Sequence, residues 1–112
     1  MVAFTQDEKD YLAIANEVSG TVSHYLLADD GKTTKQSTYY TGVYGKSAAE
    51  IVDYDASSKR LFVTDASSNS VIVLDAITMS KIKIIDLSAY GTGVNSLSVH
   101  NGKIAVAVER TE

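Results

Sequence analysis

Residues 60–75 carry the clearest secondary-structure pattern in the chain. They read Arg60-Leu61-Phe62-Val63-Thr64-Asp65-Ala66-Ser67-Ser68-Asn69-Ser70-Val71-Ile72-Val73-Leu74-Asp75, so two apolar runs flank a short polar segment. Apolar alternation with period two is typical of β-strands, and polar clusters between such runs are typical of turns. We therefore predict a β-hairpin here, with Leu61, Val63, Val71 and Val73 on one face.

The same pattern recurs on both sides of this hairpin. A gapless self-alignment at an offset of 49 residues matches Val2 with Ile51, Leu12 with Leu61, Ile14 with Val63, Asn16 with Asp65, Val22 with Val71 and Tyr25 with Leu74. A shorter third copy, at an offset of 43, matches Ile104 with Leu61 and Val106 with Val63. Repeats of about 40 to 50 residues indicate propeller blades or helical arrays, and period-two alternation favours blades.

The repeats predict an all-β fold of antiparallel β-propeller blades, about two and a half four-stranded repeats within one domain, 1–112. The first blade is 1–41, the second is 50–86, and 95–109 is the inner half of a third. The predicted strands are Val2–Thr5, Tyr11–Asn16, Thr21–Leu27, a weaker Gln36–Thr41 after the polar loop Ala28–Lys35, Glu50–Asp55, Arg60–Asp65, Ser70–Asp75, Lys81–Asp86, Asn95–Val99 and Lys103–Glu109.

Two local features refine this prediction. Asn101-Gly102, between the last two strands, suits a type I′ hairpin turn. Short helices beginning at Ser or Thr caps are an alternative at Ser47–Glu50 and at Thr5–Leu12. Neither helix would be long enough to change the fold class.

Composition excludes several classes of function. The formal net charge is -4 and the basic residues are scattered, which argues against nucleic acid as a partner. No apolar run approaches the roughly 20 residues of a membrane span, so we expect no membrane insertion and no signal peptide. The chain has no cysteine, which excludes disulfides, cysteine-ligated zinc and thiol nucleophiles.

Three stretches resemble the choice-of-anchor I family of bacterial cell-surface propellers, which are similar to an animal mesenchyme-specific cell surface glycoprotein. The first is Tyr40-Thr41-Gly42-Val43-Tyr44 with Ser47-Ala48-Ala49-Glu50-Ile51-Val52-Asp53-Tyr54-Asp55. The second is Leu87-Ser88-Ala89-Tyr90-Gly91-Thr92-Gly93-Val94-Asn95-Ser96, continuing through His100-Asn101-Gly102 to Ala105-Val106-Ala107-Val108-Glu109. The third, Ala15-Asn16-Glu17-Val18-Ser19-Gly20-Thr21-Val22, is similar to the family's closing blade.

The order of these stretches departs from the family. The third lies near the carboxyl end in family members, whereas here it precedes the other two, as in a permuted and shortened propeller of designed or rearranged origin. The resemblance implies an extracellular, cell-surface location and a non-catalytic or uncharacterised role. The family's export and anchor signals have no counterpart in this sequence, so the localisation of this chain stays unknown.

Acidic residues at equivalent strand ends are the best candidate binding site. Glu17 and Glu109 each follow the second strand of a blade, and Glu50 opens a first strand. Inner strand ends border the central channel of a propeller, where converging carboxylates can hold a hard cation such as Ca²⁺. The alternative is that these three residues are solvated ends or partners of Lys and Arg. Aspartates 53, 55 and 65 are predicted to be turn residues that bond their own backbone.

Other motifs favour structural roles. Gly91-Thr92-Gly93 mimics the start of a dinucleotide fingerprint, but a strand-like segment follows it, so we predict a tight inter-blade turn. The sequence has no Gly-x-Ser-x-Gly elbow, and neither His24 nor His100 lies by a Ser in a recognised arrangement, so we predict no catalytic residue. The tyrosines, among them Tyr39, Tyr40, Tyr44 and Tyr90, form either a carbohydrate-stacking or partner surface or, as we favour, packing between blades.

Propellers close with roughly four to eight blades, so two and a half blades leave open faces and edges. The sequence therefore predicts a homo-oligomer, a dimer or trimer. The function that follows is a non-catalytic, self-assembling structural or interaction module, natural or engineered. Ligand or metal binding in the assembled channel is the alternative, and hydrolysis would rest on fold analogy alone.

Overall fold

The computed structural model describes residues 1–41 and 49–109, which form ten strands in three antiparallel sheets. Within each sheet the strands pair in chain order. The first sheet contains β1 (Val2–Gln6), β2 (Lys9–Asn16), β3 (Thr21–Leu27) and β4 (Thr33–Tyr40). The second contains β5 (Val52–Asp55), β6 (Arg60–Asp65), β7 (Ser70–Asp75) and β8 (Lys81–Asp86), and the third contains β9 (Gly93–His100) and β10 (Lys103–Glu109).

The all-β prediction is confirmed, and five strands have the predicted bounds. These are β3, β6, β7, β8 and β10. β4 begins three residues earlier than predicted, because Thr33, Thr34 and Lys35 pair with the end of β3. The polar loop predicted over Ala28–Lys35 is correspondingly shorter.

The helix predicted as an alternative over Thr5–Leu12 is wrong, because those residues form the β1–β2 hairpin. Asp7 and Glu8 make its two-residue turn with φ angles of 53° and 64°. A turn with two positive φ angles matches the twist of the flanking strands and usually contains Asn-Gly. Asn101-Gly102 makes the corresponding turn as predicted, with φ angles of 50° and 76°. Of the other helix predicted, Ser47 and Ala48 lie outside the described residues and Glu50 is not helical.

Irregular features also repeat at the offset of 49 residues. The β3–β4 ladder shifts register between His24 and Tyr25, and the β7–β8 ladder shifts between Val73 and Leu74. In the turns after β2 and β6, the hydroxyls of Ser19 and Thr21 lie 2.7 Å apart, as do those of the equivalent pair Ser68 and Ser70. Bulges and turn bonds depend on local backbone geometry, so the repeat is structural as well as compositional.

The first strands do not follow the gapless alignment. β1 pairs Ala3 with Leu12, whereas β5 pairs Tyr54 with Leu61. Since Leu12 matches Leu61, Ala3 corresponds to Tyr54, and the predicted match of Val2 with Ile51 is wrong by two residues. The cause is the length of the loop between the first two strands, which is two residues in the first sheet and four in the second.

The second sheet is buried on both faces. Leu61 and Val63 pack toward the first sheet, in a core with Phe4, Tyr11, Ala13 and Val22. Val71 and Val73 pack toward the third sheet, in a second core with Leu97, Ile104 and Val106. The prediction of one shared face for these two pairs is therefore wrong, because β6 pairs Phe62 with Val73 and Val63 with Ile72. Continuous apolar runs are typical of strands covered on both sides.

The three sheets form a stack with the second in the middle. Between sheets, the closest approaches are those of β1 and β2 with β5, and of β5 and β6 with β9. The fourth strands lie at the other side, where most residues of β4 and β8 are exposed. The sheets are therefore tightest at their first strands. Within the described ranges, no helix has the length and apolar character needed to cross a membrane.

Candidate functional site

Asp55 links the second sheet to the third. Its side chain is 2% exposed and accepts hydrogen bonds from its own turn, from Ser57 Oγ at 2.9 Å and from Ser58 Oγ at 2.5 Å. Its Oδ1 also accepts the backbone N–H of Gly102 at 3.0 Å, at the tip of the β9–β10 hairpin. These donors, led by the Ser58 hydroxyl, lower the pKa of Asp55 to about 2.

Asp53 makes a second link between the same two sheets. Its Oδ2 accepts the backbone N–H of Val99 at 3.0 Å, and its Oδ1 accepts the N–H of Tyr54 at 2.9 Å. The prediction that aspartates 53, 55 and 65 are turn residues holds for Asp55 and for Asp65, which accepts from Ser67. It missed the bonds from Asp53 and Asp55 to another repeat, because such bonds depend on how the sheets stack.

We expect Asp55→Asn to lower the melting temperature, because the amide replaces a carboxylate that accepts several bonds. The pKa of Asp55 lies below its ordinary value of 3.8, so its stabilising effect is present above pH 3.8 and is lost as the pH falls through about 2. Thermal unfolding of wild type and variant from pH 7 to pH 2 measures this, with the curves converging at the acidic end.

Asp86→Asn is the matched control, because Asp86 is exposed and also accepts from a nearby serine, Ser88. The control should change the melting temperature little at pH 7. An equal loss in both variants would show that the bond to the third sheet does not matter.

His24 lies in the core between the first and second sheets. It is 1% exposed and stacks on Tyr11, with ring centroids 4.8 Å apart, and on Phe4, at 6.3 Å. Among the described residues neither ring nitrogen has a hydrogen-bond partner. Burial lowers the pKa of His24 from its ordinary value of 6.5, because a charged imidazole is poorly solvated there.

We expect the free energy of unfolding to fall as the pH drops below 6.5. In that range the unfolded chain binds a proton at His24 that the folded chain excludes, with a slope of at most about 1.4 kcal/mol per pH unit. Denaturant titrations at pH 7.5 and pH 5 measure it. His24→Phe should remove most of the difference, whereas His100→Gln, at an exposed position, should keep it. An unchanged difference in His24→Phe would contradict the assignment.

The three predicted metal ligands lie at one end of the stack but do not form a group. The hairpin turns of the first strands meet at the opposite end, where Lys59 Nζ lies 3.8 Å from Asp7 and Asp55 binds Gly102. Glu17, Glu50 and Glu109 are all exposed. Within residues 1–41 and 49–109, no three His, Cys, Asp or Glu side chains are arranged to hold a metal ion. The calcium site was predicted for an assembled channel, and it stays a prediction.

The remaining motifs from the sequence are the Gly91-Thr92-Gly93 segment and the tyrosines. The backbone N–H of Thr92 donates to the Glu109 carbonyl at 3.0 Å, and a Cβ on Gly91 would lie 2.1 Å from that same oxygen. β9 begins at Gly93, so the segment after the motif is a strand and not a helix, as predicted. Among the tyrosines, Tyr54 stacks on Phe4 at 4.2 Å, whereas Tyr40 and Tyr90 are each 72% exposed. Tyr44 lies outside the described residues.

Two outward sheet faces are the surfaces that the stack leaves uncovered by described residues. On the first sheet, the alternation of β2 and β3 places Leu12, Ile14, Tyr25 and Leu27 on the face away from the second sheet, and all four are partly exposed. We call this the head face. On the third sheet, Ser96, Ser98, Lys103, Ala105 and Ala107 point away from the second sheet and are exposed. We call this the tail face.

Comparisons with protein families, curated proteins and solved structures found no match to this chain. The resemblance to choice-of-anchor I propellers, and the cell-surface location that it implies, therefore stay predictions.

Proposed function

We propose that this chain is a non-catalytic structural and interaction module, an incomplete β-propeller that copies of itself complete. The observation that carries the proposal is the contrast between the middle sheet and its neighbours. Ile72 and Val73, on opposite faces of β7, are 2% and 0% exposed, whereas the head face and the tail face are open. Each face of the middle sheet is covered by the sheet of a neighbouring repeat.

The shape of the stack supports a propeller. In a propeller the sheets are arranged radially, so their first strands crowd around the axis and their fourth strands diverge toward solvent. Here the close approaches involve β1, β5 and β9, while β4 and β8 are largely exposed. The residue repeat and the equivalent bulges supply the regularity that such an arrangement needs. The cell-surface location implied by the family resemblance is part of this proposal.

Self-association would cover these open faces. Contiguous apolar surface is rarely left uncovered on a soluble monomer, and edge strands are prone to pair with other chains. Among residues 1–41 and 49–109, β10 pairs only with β9, whereas its equivalents β2 and β6 are each paired on both sides. A second copy carries a head face and a tail face, and the repeat equivalents of these two faces pack on one another inside the chain.

We expect the solution mass to be two or three times the 12.0 kDa of one chain. Light scattering after size exclusion measures it across protein concentrations from micromolar to hundreds of micromolar. A monodisperse monomer with a cooperative melt over that range would contradict self-assembly.

Calcium binding in the assembled channel is a second proposal, supported by the position of Glu17, Glu50 and Glu109 at one end of the stack. We expect excess Ca²⁺ to raise the melting temperature relative to EDTA, because a ligand that binds only the folded state stabilises it. A variant with all three residues changed to Gln should lose that shift. Identical melting with Ca²⁺ and with EDTA would dismiss this site.

A further inference from the structure

We propose that the head face of one copy packs on the tail face of a second copy, in the arrangement that already joins the sheets within one chain. This inference rests on the proposed self-assembly and specifies its surfaces. It predicts two identical contacts between two chains, which close a ring of six sheets.

The head face carries the apolar pair that packs against the preceding sheet at each internal junction, fully buried at the first and partly buried at the second. Leu61 and Val63 of β6 are 0% exposed against the first sheet. Their equivalents in β10, Ile104 and Val106, pack on the second sheet. Their equivalents in β2 are Leu12 and Ile14, which are partly exposed on the head face. This pair of positions therefore faces the preceding sheet in the second and third repeats. For the first repeat, a second chain can supply the sheet that precedes it.

The tail face is the counterpart that receives such a pair. Ala13 of β2 is 0% exposed and faces the second sheet, and its equivalent Phe62 of β6 is 7% exposed and faces the third. The same repeat position in β10 is Ala105, which is exposed. The tail face is therefore equivalent, position by position, to the two surfaces on which a following sheet packs inside the chain.

Charge at the turn ends is compatible with this pairing. Asp10 lies on the head face, where its Oδ1 accepts from Thr5 Oγ1 at 2.6 Å. It borders a shallow depression of about 210 Å³ that Ala3 and Leu27 also line. Lys103 has the opposite charge, is exposed, and lies at the corresponding end of the tail face.

The two faces differ, so each contact joins a head to a tail, and such contacts form either a ring or an open filament. One chain contributes three sheets to the stack. Two chains give six, within the roughly four to eight blades that propellers contain, whereas three chains would give nine. Closure with two copies therefore agrees with known propeller sizes.

The internal junctions identify a pair of residues that should meet across this contact. Asp53 of the second sheet binds the backbone of Val99 in the third at 3.0 Å. Strand pairing makes Ser98 the tail-face equivalent of Asp53, since Ala105 pairs with Ser98 as Phe62 pairs with Asp53. Ala3 is the head-face equivalent of Val99, since each pairs with an equivalent residue, Leu12 or Ile104. Ser98 of one copy should therefore lie beside Ala3 of the other.

Disulfide trapping tests this placement cleanly, because the chain has no cysteine of its own. The variants are Ala3→Cys and Ser98→Cys, both at exposed positions where the substitution should leave the fold intact, which far-UV circular dichroism verifies. Under mild oxidation, we expect a mixture of the two to form covalent dimers at least about tenfold faster than either alone, because association raises the effective thiol concentration. Thr34→Cys, exposed on the outer strand β4, replaces Ala3→Cys in the control mixture.

The outcomes separate the two proposals. Selective crosslinking of the mixture, with a mass near twice 12.0 kDa, supports the head-to-tail contact. If the wild-type chain forms an oligomer but the mixture crosslinks no faster than its control, the surfaces are wrong and self-assembly stands. Fast crosslinking of one variant alone would instead show that like faces meet, which also overturns this inference. A monomeric wild-type chain overturns both proposals.

Discussion

The double burial of the middle sheet is the constraint on which the remaining architecture depends. Leu61 and Val63 face one neighbouring sheet while Val71 and Val73 face the other, and all four are 0% exposed. Burying a side chain of this size stabilises the fold by roughly 1.5 to 3 kcal/mol, so neither neighbour can be removed without a large loss. The position of the first and third sheets follows from the need to cover both faces.

Much of the fold could be predicted from periodicity and self-alignment, because strand register requires alternation that the sequence shows directly. Five strands have the predicted bounds, and Asn101-Gly102 forms the predicted turn. The Asp7-Glu8 turn was not predicted, because Asp followed by Glu is not a residue pair typical of two positive φ angles. The facing of Val71 and Val73 was also wrong, since an apolar run buried on both sides has no polar side to mark its orientation.

The candidate surfaces could be predicted only in part. The sequence indicated open faces from the fraction of a propeller present, but it selected strand-end glutamates as the site. Which face of each sheet is open depends on how the sheets stack, and that order is set by contacts between residues far apart in sequence. A comparison of equivalent positions, Leu12 with Leu61 and Ala13 with Ala105, would have indicated the faces once the stacking direction was known.

The junctions share apolar positions but differ at one polar or aromatic position. Strand pairing makes Phe4, Asp55 and His100 equivalent, since they pair with the equivalent residues Tyr11, Arg60 and Lys103.

At the first junction Phe4 stacks on Tyr54 with ring centroids 4.2 Å apart, and at the second Asp55 accepts the N–H of Gly102. Aliphatic packing supplies area without direction, whereas a ring stack or a charge-assisted hydrogen bond fixes geometry. Each junction therefore has its own directional contact over a common apolar surface. Exchange of one sheet for another would remove the Gly102 donor from the Asp55 carboxylate, which is more costly than a poorly filled apolar contact. The residues that differ between repeats thus specify the order of the sheets. The apolar residues that recur in every repeat stabilise the packing of one sheet on the next.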